Sequence, residues 1–238
     1  MKERRIESAM IYYQDIVQAE PGMMDRYLKI FGEKALPPLL ERGNKPIGMY
    51  RVVPGTGTYN EVIFINGIDD WRRWGKDVAT TEGHPNRDEW HPGVRSWAEM
   101  AFDYRKRWIK NFYFPAPFAP SHEQLMKRKK NGATFIHLMY RVTPGKMEQW
   151  LDFAGSTLKP AWEKQGMELI TFLHIFPGTG PSDQCVELWA VKDWNDWSDV
   201  VQARQRHLPL KRALARALAF RDRWDERTLL PAPWSPVQ

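Results

Sequence analysis

The sequence has one cysteine and lacks any long apolar run. Because Cys185 is alone, no disulfide can form within the chain, which is typical of a reducing compartment. No segment reaches the roughly 18 consecutive apolar residues that a membrane-spanning helix needs. The first residues, MKERRIESAM, also lack the apolar core of a signal peptide. We therefore expect a soluble, cytoplasmic protein without a membrane partner.

The motifs of the common nucleotide and metal enzymes are missing as well. The sequence contains no P-loop, no Rossmann glycine fingerprint, no CxxC pair, no HExxH and no GxSxG. The tetrapeptide PGTG occurs twice, but between strand-like segments, where a hairpin turn needs glycine. We therefore expect no metal site and no cofactor.

The positive charge of the chain does not follow a nucleic-acid-binding pattern. The net charge is +6, yet lysines and arginines are interspersed with acids except in one run at residues 127–130. That run precedes the Asn-Gly pair at 131–132, where a solvated linker is expected. No nucleic-acid partner is expected, and the 42% hydrophobic content, with twelve tryptophans, favours a well-packed core.

The two halves of the sequence instead resemble each other. A shift of 123 positions aligns residues 11–74 with 134–197 without a gap, and fifteen of the 64 pairs are identical. After a seven-residue length difference, the match resumes at an offset of 116. The identities include Pro21-Gly22 with Pro144-Gly145, Gly43 with Gly166, the PGTG segments 54–57 and 177–180, Trp71 and Trp74 with Trp194 and Trp197, and Pro-Ala-Pro at 115–117 and 231–233.

This register predicts a tandem duplication. Residues 1–120 form the first repeat, 121–132 a linker, and 133–238 the second repeat. The aligned tryptophans are expected to be buried anchors of the fold, since both copies keep them.

Each copy shows the same pattern of secondary structure. A strand-like segment ends at Pro-Gly, a helical stripe follows, two further strands flank PGTG, and a second helical region leads to a last strand. The order β-α-β-β-α-β is that of the ferredoxin-like unit. The predicted class is α+β, with the two units packed sheet to sheet as an intrachain dimeric α+β barrel.

The end of the chain supports a resemblance to a known family. The segment from Pro231 to Pro236, PAPWSP, resembles the closing Pro-x-x-x-Ser-Pro segment of NIPSNAP proteins, and the first copy ends similarly at 115–120. The whole chain resembles a duplicated dimeric α+β barrel protein of the NIPSNAP type. That superfamily hosts unrelated activities, so the resemblance alone does not define a reaction.

Histidines are the candidate acid–base residues at neutral pH. His137 lies in an apolar strand, on the face opposite Ile136 and Tyr140. His207 lies in the second helical region and aligns with His84 or His91 of the first copy, depending on the offset. The longer segment between His84 and His91 is a candidate lid.

The pair of His137 and His207 is similar to the arrangement in olivetolic acid cyclase, another dimeric α+β barrel protein. By that resemblance His207, or His84 and His91 in the first copy, is a general base, and His137 binds substrate. This sequence departs from the cyclase pattern, because Gln14 replaces the first-strand histidine in copy one and Val201 stands where the assisting tyrosine is expected.

Three further polar residues lie in apolar strands and are candidate substrate-binding residues: Arg51, His174 and Tyr140. Together these patterns favour a cofactor-independent enzyme of the cyclase, isomerase or monooxygenase type. It would act on a small aromatic or polyketide-like molecule with a histidine base.

Two alternatives stay open. One is a non-catalytic small-molecule-binding or scaffold protein of the NIPSNAP type. The other is a haem-binding protein of the chlorite dismutase-like class, which would need an axial histidine. Further homodimerisation of the fused unit also stays open.

Overall fold

A computed structural model describes residues 10–79, 85–127 and 134–238 of the chain, without the side chain of Arg223. The strands and helices of the first half are β1 Ile11–Ala19, α1 Met24–Ile30, α2 Leu36–Glu41, β2 Lys45–Val52, β3 Glu61–Ile68, α3 Trp71–Ala79, α4 Pro92–Ala101 and β4 Arg105–Pro115. Those that follow are α5 His122–Lys127, β5 Thr134–Val142, α6 Met147–Phe153, α7 Lys159–Glu163, β6 Glu168–Ile175, β7 Gln184–Val191, α8 Trp194–Arg206, α9 Leu208–Ala217 and β8 Arg221–Pro231.

The sequence patterns predict strands at about 10–19, 46–53, 60–67, 134–142, 168–176 and 184–191. These coincide with β1, β2, β3, β5, β6 and β7 to within about two residues. Glycines set the turns between them, because Gly22, Gly55, Gly145 and Gly178 adopt positive φ angles, which cost glycine little. The predicted first helix of each half is interrupted by one π-helical segment, Phe31–Ala35 in one and Ala154–Leu158 in the other. Simple helical periodicity does not reveal such segments.

The eight strands form one closed antiparallel barrel in the order β1-β3-β2-β8-β5-β7-β6-β4. Each half contributes four neighbouring strands in the same internal order, and helices cover the outside. The halves are joined where β2 pairs with β8 and where β4 pairs with β6. The α+β class is therefore confirmed. The predicted face-to-face packing of two sheets is corrected, because the two four-stranded sheets pair edge to edge on both sides and form one barrel.

Three apolar clusters fill this architecture. One lies inside the barrel and is built almost wholly from strand residues, such as Phe135 and Val186. A second lies between sheet and helices of the second half, around Trp150 and Trp162, and a third lies in the first half, around Phe31. Among the described residues, no helix is long and apolar enough to cross a membrane.

The end segment of each half crosses onto the other half. Trp234 stacks on Phe31 with ring centroids 5.3 Å apart, and its Nε1 donates to the carbonyl of Leu28 at 3.0 Å. In the same way Phe118 packs on the second half, 4.9 Å from the ring of Phe172. The two halves are consequently interlocked as well as paired.

Two sequence-based expectations need correction. Residues 122–127 of the predicted linker are helical and not simply solvated, because Leu125 of that helix is buried in the interior cluster of the barrel. Trp194 is not a buried anchor: it is 48% exposed, because it begins α8 on the outer surface. Trp71 and Trp74 are half-buried against the first-half cluster.

The packing of Trp234 against the first half predicts that substituting one glycine by alanine lowers the stability of the fold. A Cβ added at Gly32 would lie 2.5 Å from the indole of Trp234, so Gly32→Ala should destabilise the fold by about 1–3 kcal/mol. Gly75 in α3 has no atom within 4 Å of such a Cβ, so Gly75→Ala should stabilise by about 0.5–1 kcal/mol. Urea unfolding of both variants tests this, and equal stability of the two would contradict the tight seating of Trp234.

Candidate functional site

A pocket opens between the sheet and the helices of the first half. Its cavity volume is about 80 Å³, and its mouth is open to solvent. All four strands of the first half contribute to its floor, and α1, α2, α3 and α4 supply its walls. Aromatic side chains dominate the lining: Tyr13, Tyr27, Phe31, Phe64, Trp74, Trp97 and Trp108. We call this space the inner pocket.

A carboxylate and an ammonium group meet on the floor of the inner pocket. Asp15 of β1 and Lys110 of β4 are directly opposite each other in the strand register, and Oδ1 and Nζ are 3.8 Å apart. The same Oδ1 accepts a hydrogen bond from Nε1 of Trp108 at 2.8 Å. Both charged side chains are mostly buried, with 13% of Asp15 and 21% of Lys110 exposed.

Aromatic rings surround the ammonium group of Lys110. Its Nζ lies 4.5 Å from the ring centroid of Tyr13, 5.0 Å from that of Trp108 and 5.7 Å from that of Trp74. Cation–π attraction and the carboxylate of Asp15 both hold the ammonium group in this position. The floor therefore presents a fixed positive charge beside a fixed negative one.

A second polar group borders the inner pocket at Asp77 of α3. Its Oδ2 accepts from Nδ2 of Asn44 at 3.2 Å, and Oδ1 of Asn44 accepts from Nδ2 of Asn66 at 2.7 Å. Both Asp77 and Asn44 are buried. This chain of hydrogen bonds holds the carboxylate of Asp77 at the pocket wall.

Asp77 and Arg42 also line a shallower space next to the inner pocket, which we call the outer pocket. Its lining is charged and includes His91, whose Nε2 lies 3.9 Å from the carboxylate of Glu41. His91 precedes the first residue of α4. The outer pocket thus lies at the mouth of the inner one.

The same place in the second half is filled by protein. Under the 123-residue register, the lining residues Asp15, Ala35, Leu39, Asn44 and Asp77 correspond to Leu138, Leu158, Trp162, Met167 and Val200. All five second-half residues are buried in one apolar cluster. Lys110 corresponds to Glu226, which instead pairs with Arg204 at 2.8 Å. The fold therefore does not require the inner pocket or its charges.

Tyr140 belongs to that filled region. Its hydroxyl donates to Oε1 of Glu187 at 2.5 Å and accepts from Nε1 of Trp150 at 3.2 Å. Arg221 completes the network, 3.8 Å from Glu187 and enclosed by aromatic rings, with its side chain 1% exposed. Burial raises the pKa of Glu187, while Arg221 opposes that shift. Tyr140 is thus part of a buried polar network in the second half.

His137 lies inside the barrel, on the side of β5 that the alternation predicted. Its Nε2 accepts from Nε2 of Gln14 at 2.5 Å, and Gln14 is the residue 123 positions earlier. The ring is fully buried. Burial, followed by the positive charge of Arg227, lowers the pKa of His137 well below its ordinary value, so the ring is neutral.

The other predicted site residues lie apart from the inner pocket. His207 is between α8 and α9, where Nε2 of Gln165 is 3.3 Å from its Nδ1. His174 lies on β6 opposite Phe114, and burial lowers its pKa. Arg51 is on the surface, 3.7 Å from Asp25. His84 lies outside the described residues.

Asp15, Lys110 and Asp77 were not among the predicted site residues. The signal that could have found them is the comparison of the two copies, because each replaces an apolar residue or reverses a charge relative to its counterpart. The pairing of β1 with β4, which brings Asp15 to Lys110, is not evident from either segment alone.

Solved structures share the fold of the whole chain. A proposed monooxygenase from Lactobacillus acidophilus NCFM has a TM-score of 0.63 at 10% identity, with 93% of each chain covered. An anthrone oxidase-like protein has a TM-score of 0.62 at 10% identity, covering 95% of this chain and 92% of its own. A proposed chlorite dismutase has a TM-score of 0.51 at 18% identity, covering 96% and 98%. These likenesses establish a dimeric α+β barrel fold.

The sequence comparison is more specific. The family model described as NIPSNAP matches residues 138–236, within the second half of the chain, which confirms the resemblance to that family. No curated protein matches the chain by sequence.

The neutral state of His137 makes the stability of the protein dependent on pH. Its pKa is lowered in the folded state, so its contribution is present above the unfolded value of roughly 6.5 and is lost as the pH falls below it. Between pH 7.5 and 5.5 this loss should reach about 1.4 kcal/mol.

The matched variant is His137→Gln, which replaces the ring with the residue found at position 14. Urea unfolding at both pH values should show a smaller loss for this variant than for the unchanged protein. An identical loss in both proteins would show that His137 does not carry the effect.

Proposed function

We propose that the inner pocket binds a small aromatic molecule and that the protein is a cofactor-independent enzyme acting on it. The observation that carries this proposal is the difference between the halves. The second half fills the equivalent space with Trp162 and Leu158, whereas the first half keeps a pocket with an ion pair on its floor. Apolar walls with a few convergent polar groups are typical of ligand sites.

The lining favours a flat ring system. Tyr27 and Trp97 form part of one wall, with ring centroids 5.7 Å apart, and Phe64 lies on the floor. Aromatic pairs stabilise ligand rings through offset and edge contacts as well as by excluding water. The polar groups then act on the one substituent that reaches Asp15 and Lys110.

The ion pair suggests proton transfer as the chemistry. The carboxylate of Asp15 would accept a proton from a carbon that is acidified by conjugation with a carbonyl group, and the ammonium of Lys110 would stabilise the charge that develops on the oxygen. An electron-rich enolate of this kind can reduce molecular oxygen without a bound cofactor. For anthrone, one oxygen molecule would give anthraquinone and one water, with the substrate as the electron donor.

The described histidines do not supply the base that this chemistry needs inside the pocket. No histidine among the described residues lines the inner pocket, whereas His91 lines the outer one. We therefore place the base at Asp15.

The alternative is a non-catalytic binding protein, and one observation favours it. The carboxylate of Asp15 already accepts a hydrogen bond from Trp108 and pairs with Lys110, so its Oδ1 is engaged by the protein itself. In that case the ion pair would orient a ligand without reacting with it.

A haem group does not fit the donors available. The described residues that line the inner pocket include no histidine and no cysteine, which are common axial ligands. The phenol of Tyr27 is a poor substitute, since burial raises its pKa and disfavours the phenolate. We derive no step through haem.

We also propose that the two halves arose by duplication of one NIPSNAP-type unit. The shared strand order, the gapless register and the exchanged end segments support this origin.

Oxygen consumption with anthrone as substrate tests the enzyme proposal. The unchanged protein should consume oxygen and form anthraquinone, and Asp15→Asn should lower the rate by about 10²–10⁴-fold. Leu39→Trp copies Trp162 of the second half and should block binding. Asp199→Asn, on the exposed surface of α8, is the matched control and should leave the rate unchanged.

The possible results separate the proposals. Full turnover by Asp15→Asn would eliminate Asp15 as the base. Binding without turnover in the unchanged protein, abolished by Leu39→Trp, would favour the binding protein. Absence of anthrone binding to the unchanged protein would contradict the proposed aromatic ligand.

A further inference from the structure

The outer pocket is lined by three cationic side chains that the fold does not require. Arg42, Arg73 and Lys76 line it, together with the carboxylates of Asp77 and Glu89. Arg42 and Asp77 line the inner pocket as well, so a ligand held inside would reach both. The two spaces therefore share a polar boundary.

At the equivalent positions, the second half neutralises one of these charges and reverses the other two. The 123-residue register places Gln165, Asp196 and Asp199 where the first half has Arg42, Arg73 and Lys76. The helices at these positions form in both halves, so the fold does not depend on the cations. Their presence only beside the open pocket links them to its contents.

Arg42 is placed to receive an anion. Its Nε donates to the carbonyl of Pro38 at 3.0 Å, which fixes the guanidinium group at the end of α2. Within residues 10–79, 85–127 and 134–238, the structure shows no carboxylate paired with it. Arg73 lies nearby over Gly43, and its Nε is 4.0 Å from Asp77. In the part of the chain that the structure describes, neither arginine is bound bidentately by a carboxylate.

We infer that the ligand of the inner pocket is an aromatic carboxylate, whose carboxylate group binds Arg42 and Arg73 while its rings lie inside. This inference rests on the proposed function. A guanidinium fork matches the two oxygens of a carboxylate. Three cations against two carboxylates leave about one positive charge in the outer pocket, which suits a monoanion better than a phosphate dianion.

Two probes of nearly the same shape test the inference: 2-naphthoate and the neutral 2-naphthamide. Isothermal titration calorimetry at pH 7.5 and low salt should show tighter binding of the carboxylate. Arg42→Gln, which copies Gln165, should weaken naphthoate binding about tenfold and leave naphthamide unchanged. Arg42→Lys should restore only part of the affinity, because lysine lacks the fork.

The matched control is Arg72→Gln, which removes an exposed charge from α3 at a position outside both pockets. It should bind both probes as the unchanged protein does, which excludes a general effect of net charge.

Equal affinity of the unchanged protein for the two probes would overturn the carboxylate inference and leave the aromatic pocket standing. Selective loss of naphthoate binding in Arg42→Gln supports the inference, whereas equal losses in Arg42→Gln and Arg72→Gln would overturn it. Binding of neither probe would contradict the proposed function, and the inference with it.

Discussion

Two short strand pairings hold the molecule together. The pairing of β2 with β8 and that of β4 with β6 each extend over three residue pairs. Without them, each half would have two open sheet edges and an exposed apolar face, both of which favour aggregation. Barrel closure is the constraint on which the interior cluster depends, and the crossing of Trp234 and Phe118 reinforces it.

Closure leaves the outer faces of the sheets free to differ. The helices of each half need something to pack on, and the second half provides it with large side chains such as Trp162 and Trp150. The first half meets the same need with helix-to-sheet contacts around Phe31 and Phe64, and space remains beside Asp15. One half can thus support the scaffold while the other holds the site.

The sequence predicts strands and turns well because glycine and proline act locally. Gly43 and Gly166 have the positive φ angles expected at helix ends. The sequence does not predict that the end segment of each half crosses onto the other half, because the contact of Trp234 with Gly32 joins residues about two hundred positions apart. The sequence does not predict the exposure of Trp194, because the alignment of the two copies shows which positions are equivalent but not which are buried.

The candidate site was harder to predict for the same reason. Histidine is the usual candidate for acid–base chemistry, yet His137 lies inside the barrel. Asp15 becomes a candidate only because the fold brings it to Trp108 and Lys110 on another strand. Divergence between the two copies carries this information. It can be interpreted once the structure shows which positions face a pocket and which face a core.

The contact between Gln14 and His137 shows what a single chain permits and a symmetric pair does not. In an assembly of identical subunits, residues on the two-fold axis meet their own copies, so a donor faces an identical donor. Here the equivalent positions carry different residues, and an amide donates to an imidazole. Because the two halves belong to one chain, the residues on the axis need not be identical. Each partner of a buried polar contact there can therefore change independently of the other.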